Sequence, residues 1–161
     1  MMIFGGIDPA ARRYGFAVCL IDYEANTVTF TRLKDPGEFF SMALPEKAFW
    51  AVEHSGLQNS TFRKSGNPRL AARLSRNAGA NQAVSGMVVK RLQAVYGKNA
   101  VAAVAPNRKG RVLKNEAIIR AAIAAEGLTI VAAKALLEDD FVAYHMAKMA
   151  RNNAKTNPCG R

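Results

Sequence analysis

The chain has 161 residues, half of them hydrophobic, which suits one globular domain with a sizeable core. Two cysteines, Cys19 in an apolar run and Cys159 near the end, argue against a disulfide framework. The chain has neither an 18-residue apolar run nor an N-terminal signal-like segment, and its formal net charge of +11 points to a cytoplasmic protein that meets a polyanion rather than a membrane.

The chain opens on Ile3-Phe4-Gly5-Gly6-Ile7-Asp8, an apolar run that ends on a carboxylate. A tight segment rich in Pro and Arg follows, then a second apolar run. The spacing predicts strands over 2–8, 14–22 and 27–33, the first two antiparallel. Thr27-Val28-Thr29-Phe30-Thr31 alternates and is β-branched, and Glu24-Ala25-Asn26 supplies the hairpin turn. Asp35-Pro36-Gly37 breaks the chain before a short helix from Glu38 to Leu44.

Ala48-Phe49-Trp50-Ala51-Val52-Glu53 reads as a fourth strand and again ends on a carboxylate. A polar loop runs from Gly56 to Pro68. Residues 69–96 read as helical, with Val84, Met87, Val88, Leu92 and Val95 at helical spacing, Gly79 a candidate interruption and Gly97 the stop. Val101 to Val104 is a fifth strand, 113–126 a helix, and 137–151 the closing helix. Thr129-Ile130-Val131 reads equally as strand or link. Residues 152–161 read as a flexible polar tail outside a single domain of residues 1–151. Strands followed by alternating strands and helices describe an α/β layer.

Two strand-ending carboxylates, Asp8 and Glu53, and the acids Glu138, Asp139 and Asp140 at the head of the last helix form a candidate site. Hydrolysis of a phosphodiester needs an activated water and a stabilised leaving oxyanion, and a pair of Mg²⁺ ions about 4 Å apart supplies both. Mg²⁺ takes oxygen ligands and keeps several waters, so a few carboxylates suffice. Carboxylates 4 Å apart repel by about 4 kcal/mol at an effective dielectric of 20, so such a cluster calls for a cation. His54 alternates with Glu53 and is expected on the other side of the sheet.

Gly6-Ile7-Asp8-Pro9 followed by Tyr14-Gly15-Phe16-Ala17-Val18 resembles the first strands of RuvC-type Holliday junction resolvases. Ala51-Val52-Glu53 resembles that family's second acidic position. Ala105-Pro106-Asn107-Arg108-Lys109 resembles its later proline-then-lysine segment, and Asp139 before Ala143-Tyr144-His145-Met146-Ala147 resembles its closing helix. The resemblance implies a ribonuclease H-like five-stranded mixed sheet flanked by helices. It also implies a Mg²⁺-dependent endonuclease, with Mn²⁺ as a substitute, that works as a homodimer on branched double-stranded DNA and resolves four-way junctions. Asp8, Glu53 and Asp139 would be catalytic metal ligands, with Asp140 or His145 completing the site.

The chain departs from the family at three places. Ala10 stands where the family has glycine, Val142 stands at the second acid of the closing helix, and Ser55-Gly56-Leu57 replaces an aromatic that Phe62 could supply.

The positive charge is concentrated: residues 60–120 hold thirteen Lys and Arg against one acid, while residues 1–59 hold five against seven. Arg63 and Lys64 lie on the loop after Glu53. Arg69, Arg73 and Arg76 recur at i, i+4 and i+7, one stripe of a helix. Lys109, Arg111 and Lys114 surround the start of the next helix, whose N–H groups also favour phosphate. All eight are candidate DNA contacts that position a duplex without reading its sequence. Lys109 or Lys114 is the candidate for stabilising charge on the cleaved phosphate. The nearest alternative is a nuclease of the same fold for other branched or flap DNA; loss of a metal ligand would leave a DNA-structure-binding protein of that fold, and the charge alone suits a ribosome-associated or RNA-binding protein.

Overall fold

A computed structural model describes residues 1–57, 66–106, 115–131 and 135–156. Strands β1 (Ile3–Asp8), β2 (Phe16–Asp22) and β3 (Thr27–Leu33) form an antiparallel meander. β4 (Ala48–Glu53) joins β1 in parallel, and β5 (Val101–Val104) joins β4 in parallel. A sixth strand, β6 (Thr129–Val131), pairs in parallel with β3. The sheet is therefore six-stranded and mixed, in the order β5-β4-β1-β2-β3-β6, rather than five-stranded. Three residues are too few for alternation to declare a strand; what fixes β6 is pairing, beginning with the Thr129 amide donating to the Asn26 carbonyl at 2.8 Å.

Among the described residues four α-helices flank the sheet: α1 (Pro36–Ser41), α2 (Pro68–Tyr96), α3 (Glu116–Ala125) and α4 (Glu138–Thr156). Their starts follow capping residues. Asn67 Oδ1 accepts from the Arg69 amide at 3.0 Å and Asn115 Oδ1 from the Ala117 amide at 2.8 Å, so α2 begins at Pro68 and α3 later than periodicity alone suggests. Gly79 does not interrupt α2; it sits on an exposed turn where nothing crowds it. α4 runs to Thr156, so residues 152–156 belong to a helix and not to a loose tail. Among the described residues no helix is long and apolar enough to cross a membrane.

The two faces of the sheet hold different cores. One face carries Ile3, Ile7, Phe16, Val18, Trp50 and Val52, packed under Phe39 of α1 and Val88, Val89 and Leu92 of α2. The other carries Ala17, Cys19, Ile21, Val28 and Phe30 under Ile119 and Ile123 of α3 and Ala143, Tyr144 and Ala147 of α4. Met146 and Ala150 of α4 continue that face over Ala51. Strand residues alternate between the faces, so Gly5 points at the first and Gly6 at the second. A Cβ on Gly6 would overlap the backbone of α4 at the Ala143 carbonyl and the Ala147 nitrogen. That glycine lets α4 lie directly on β1, and the approach brings the head of α4 to the end of β1.

Candidate active site

The site begins with strand register. Asp8 pairs with Ala17 of β2, which pairs with Arg32 of β3. On the other side, Ile7 pairs with Val52 of β4, so Asp8 and Glu53 are the next residues of two adjacent parallel strands, about 4.8 Å apart. Glu53 pairs in turn with Val104 of β5. Arg32, Ala17, Asp8, Glu53 and Val104 thus form one row across the sheet. By alternation they face α4, because Gly6 and Ala51, two residues earlier in each strand, touch that helix.

A cavity of about 690 Å³ opens over this row. Asp8, Glu53 and Asp139 all line it, together with Val142 and His145 of α4. With Glu138, which also lines it, four acids separated by up to 131 positions share one concave surface. From α2, Asn81 and Ser85 complete the wall. The Ala11 amide donates to Asn81 Oδ1 at 2.9 Å, which ties the segment after Asp8 to α2. Ala10 is buried there, so the turn accepts alanine in place of glycine.

Asp139 does not stand without a counter-charge. Arg12 Nη2 donates to Asp139 Oδ1 at 3.0 Å and Oδ2 at 2.8 Å. Arg12 also lines the cavity, and its side chain is 70 % exposed against 18 % for Asp139. A Cβ on Gly15 would overlap the Arg12 side chain, so Gly15 keeps room for it. Sequence reading missed Arg12; its signal was an arginine four residues after the first acid, in the tight segment between two strands.

Asp140 requires a correction. It does not line the cavity but is buried, at 3 % exposure, in an ion pair with Arg32 of β3. Its Oδ2 also accepts from the Leu137 amide at 2.9 Å, the return half of a capping box. Burial pushes its carboxyl above the usual range, although the Leu137 amide and the Arg32 charge both pull it down. One residue is about 100° of helix, enough to send Asp139 to the cavity and Asp140 to the sheet.

His145 is exposed, lines the cavity and stacks on Phe141 with ring centroids 6.4 Å apart. Val142 is half-buried and also lines it, so the position where the resemblance puts a second acid does face the site. His54 is half-buried away from these groups; its Nδ1 accepts from the Gly56 amide at 3.1 Å. Arg69, Arg73 and Arg76 are exposed and do not line the cavity. At 100° per residue their mean direction is about 130° round α2 from that of Ser85, Val88 and Leu92. Arg63, Lys64, Phe62, Lys109, Arg111 and Lys114 lie outside the described residues.

The cavity acids fit a hard divalent cation by donor chemistry, since Asp8, Glu53, Glu138 and Asp139 all offer carboxylate oxygens. They do not converge as they stand: among the described residues no three His, Cys, Asp or Glu side chains group closely enough to hold a metal. The Arg12 contact gives one reason, because it occupies both oxygens of Asp139. Comparison of the chain with family models, curated proteins and solved structures gives no match.

Proposed function

We propose that this protein is a Mg²⁺-dependent, structure-selective DNA endonuclease of ribonuclease H-like fold that resolves four-way junctions, as its resemblance to RuvC-type resolvases implies. One observation carries the reading: Asp8 and Glu53 end adjacent parallel strands on the face covered by α4, and the first turn of α4 adds Asp139 to the same cavity. Asp8, Glu53 and Asp139 would hold the ion, with Mn²⁺ as a substitute. A bound ion there supplies positive charge to the phosphate oxygens and lowers the pKa of a coordinated water.

The chain's own contribution is placement. The backbones of β1 and β4 fix two carboxylates on rigid elements, and the Gly6 contact with α4 sets the depth of the third. Water adds to phosphorus, the bond to the leaving sugar oxygen breaks, and that oxygen takes a proton. His145 places an exposed imidazole of α4 on the cavity wall. The arginines on the exposed half of α2 offer phosphate contacts that hold a duplex arm without reading sequence. A homodimer would present two such sites to the paired strands of a junction.

The test is cleavage of a synthetic four-way junction, with flap and linear duplex controls, in Mg²⁺ and in EDTA. Cleavage of the junction in Mg²⁺ only is expected. Glu53→Gln should abolish cleavage while leaving junction binding and Tm near the parent's. Full-rate cleavage by that variant would end the carboxylate-site reading. A second reading, a DNA-structure-binding protein without nuclease activity, draws on Val142 in the cavity and on the Arg12–Asp139 contact. It expects tight junction binding with no product in either condition.

A further inference from the structure

Among the described residues, Arg12 is the cation that hydrogen-bonds the cavity's Asp139. Its position is built rather than incidental. It follows Asp8 by four residues, on the segment that Asn81 anchors through the Ala11 amide. Gly15 leaves the space that its side chain occupies. Yet the contact itself is weakly held. The Arg12 side chain is 70 % exposed, and exposed ion pairs add little stability. A guanidinium on a half-open carboxylate is therefore easily displaced by a stronger cation. Once displaced, it stands at the cavity rim with a planar fork of donors, the geometry that suits a phosphate.

We propose that Arg12 holds the place of the divalent ion at Asp139, and that ion binding releases Arg12 to contact the DNA phosphate. The inference rests on the reading of the cavity as a metal site. It makes metal and DNA binding mutually supportive: the ion displaces Arg12, and the phosphate then rewards the displacement. By linkage, each ligand raises the affinity for the other by the same factor.

The experiment compares wild-type protein and Arg12→Gln, whose exposed position leaves folding to be verified simply by Tm and near-ultraviolet circular dichroism. Mn²⁺ binding is followed by the loss of the free-ion electron paramagnetic resonance signal. Affinity for a four-way junction is measured with Ca²⁺ and with EDTA. Arg12→Gln should bind Mn²⁺ up to about fivefold more tightly, the ceiling set by an exposed pair. It should lose junction affinity in Ca²⁺ but not in EDTA.

Equal Mn²⁺ affinity in the two proteins overturns the proposal and leaves the metal site standing. Tighter Mn²⁺ binding with junction affinity lost equally in Ca²⁺ and EDTA also overturns it, because Arg12 would then reach phosphate without leaving Asp139. Absence of Mn²⁺ binding by both proteins removes the metal reading itself and the proposal with it.

Discussion

Gly5 and Gly6 are neighbours in β1, yet they serve opposite faces of one sheet. A Cβ on Gly5 would meet the ring of Trp50, and a Cβ on Gly6 would meet the backbone of α4. The face under Gly5 is packed with large side chains: Trp50, Phe16, Phe39 and Leu92 are all fully buried. Where α4 crosses β1, the face under Gly6 is packed closely by small side chains of the helix, Ala143, Ala147 and Ala150, and this face alone carries the row from Arg32 through Asp8 to Glu53. Close approach does something that filling space does not. Large side chains fill space and tolerate adjustment. Backbone laid on backbone fixes a distance, and on this face the distance sets where Asp139 stands relative to Asp8.

The largest effect is therefore expected at Gly6. Gly6→Ala must push α4 off the sheet, because neither the Ala143 carbonyl nor the Ala147 nitrogen can move without its helix. We expect destabilisation above the roughly 1–3 kcal/mol usual for overpacking and loss of junction cleavage. Gly5→Ala strikes a buried ring instead, so it should cost about 1–3 kcal/mol and keep most of the cleavage of the folded protein. Urea melts and single-turnover cleavage of both variants decide this. Comparable cleavage losses at equal folded fraction would erase the distinction between the faces.

Much of this arrangement was legible in the sequence, and what was not depended on distant partners. The strands ending at Asp8 and Glu53 declare themselves by apolar runs that stop on a carboxylate. The long α2 follows from periodicity. By contrast, Asp139 and Asp140 both open a helix where acids are favoured, and preferring Asp139 as a ligand does not reveal that Asp140 is buried. They part because Arg32, 108 residues away, waits on β3 for Asp140. Arg12 was invisible for the same reason: its partner lies 127 residues on. The edge strand β6 is declared by its neighbour β3 rather than by its own three residues.

The Arg32–Asp140 joint sharpens the comparison, because it is the polar fastener of the tightly packed face. The Asp140 side chain is 4 % exposed and that of Arg32 20 %. Arg32→Met leaves a buried carboxylate without its charge partner, at a cost of about 3 kcal/mol near neutral pH, the low end for breaking a buried pair. The pH dependence has a definite sign. Burial already raises the Asp140 carboxyl, and removing Arg32 removes two influences that lower it. A carboxyl raised in the folded state is costly once it must ionise, so the deficit grows as pH rises through the folded value. The deficit shrinks as pH falls toward about 4, where the unfolded chain also takes up the proton. Urea melts of both proteins at pH 4.5 and 7 should show a smaller gap at the lower pH. A gap that is constant or larger at pH 4.5 would mean that Arg32 acts through packing alone.

The smallest effect tests whether the face covered by α2 is structural throughout. The C-terminal half of α2 is buried through Ser85, Val88, Val89 and Leu92, but residues 72–80 are exposed on every side. A helix that outruns its core by more than two turns gains little from packing there. Arg73 and Arg76 lie on this stretch and Arg69 just before it, all turned away from the buried stripe and outside the cavity. Their replacement should therefore leave single-turnover cleavage of bound junction and the Tm nearly unchanged. If each contacts a phosphate of a duplex arm, replacing it by Ala should flatten the plot of log affinity against log salt by up to about 0.9, for arms of any sequence. The triple variant should flatten it by up to three times as much. An unchanged slope in that variant would place the DNA-binding surface elsewhere and leave the projecting half of α2 without this role.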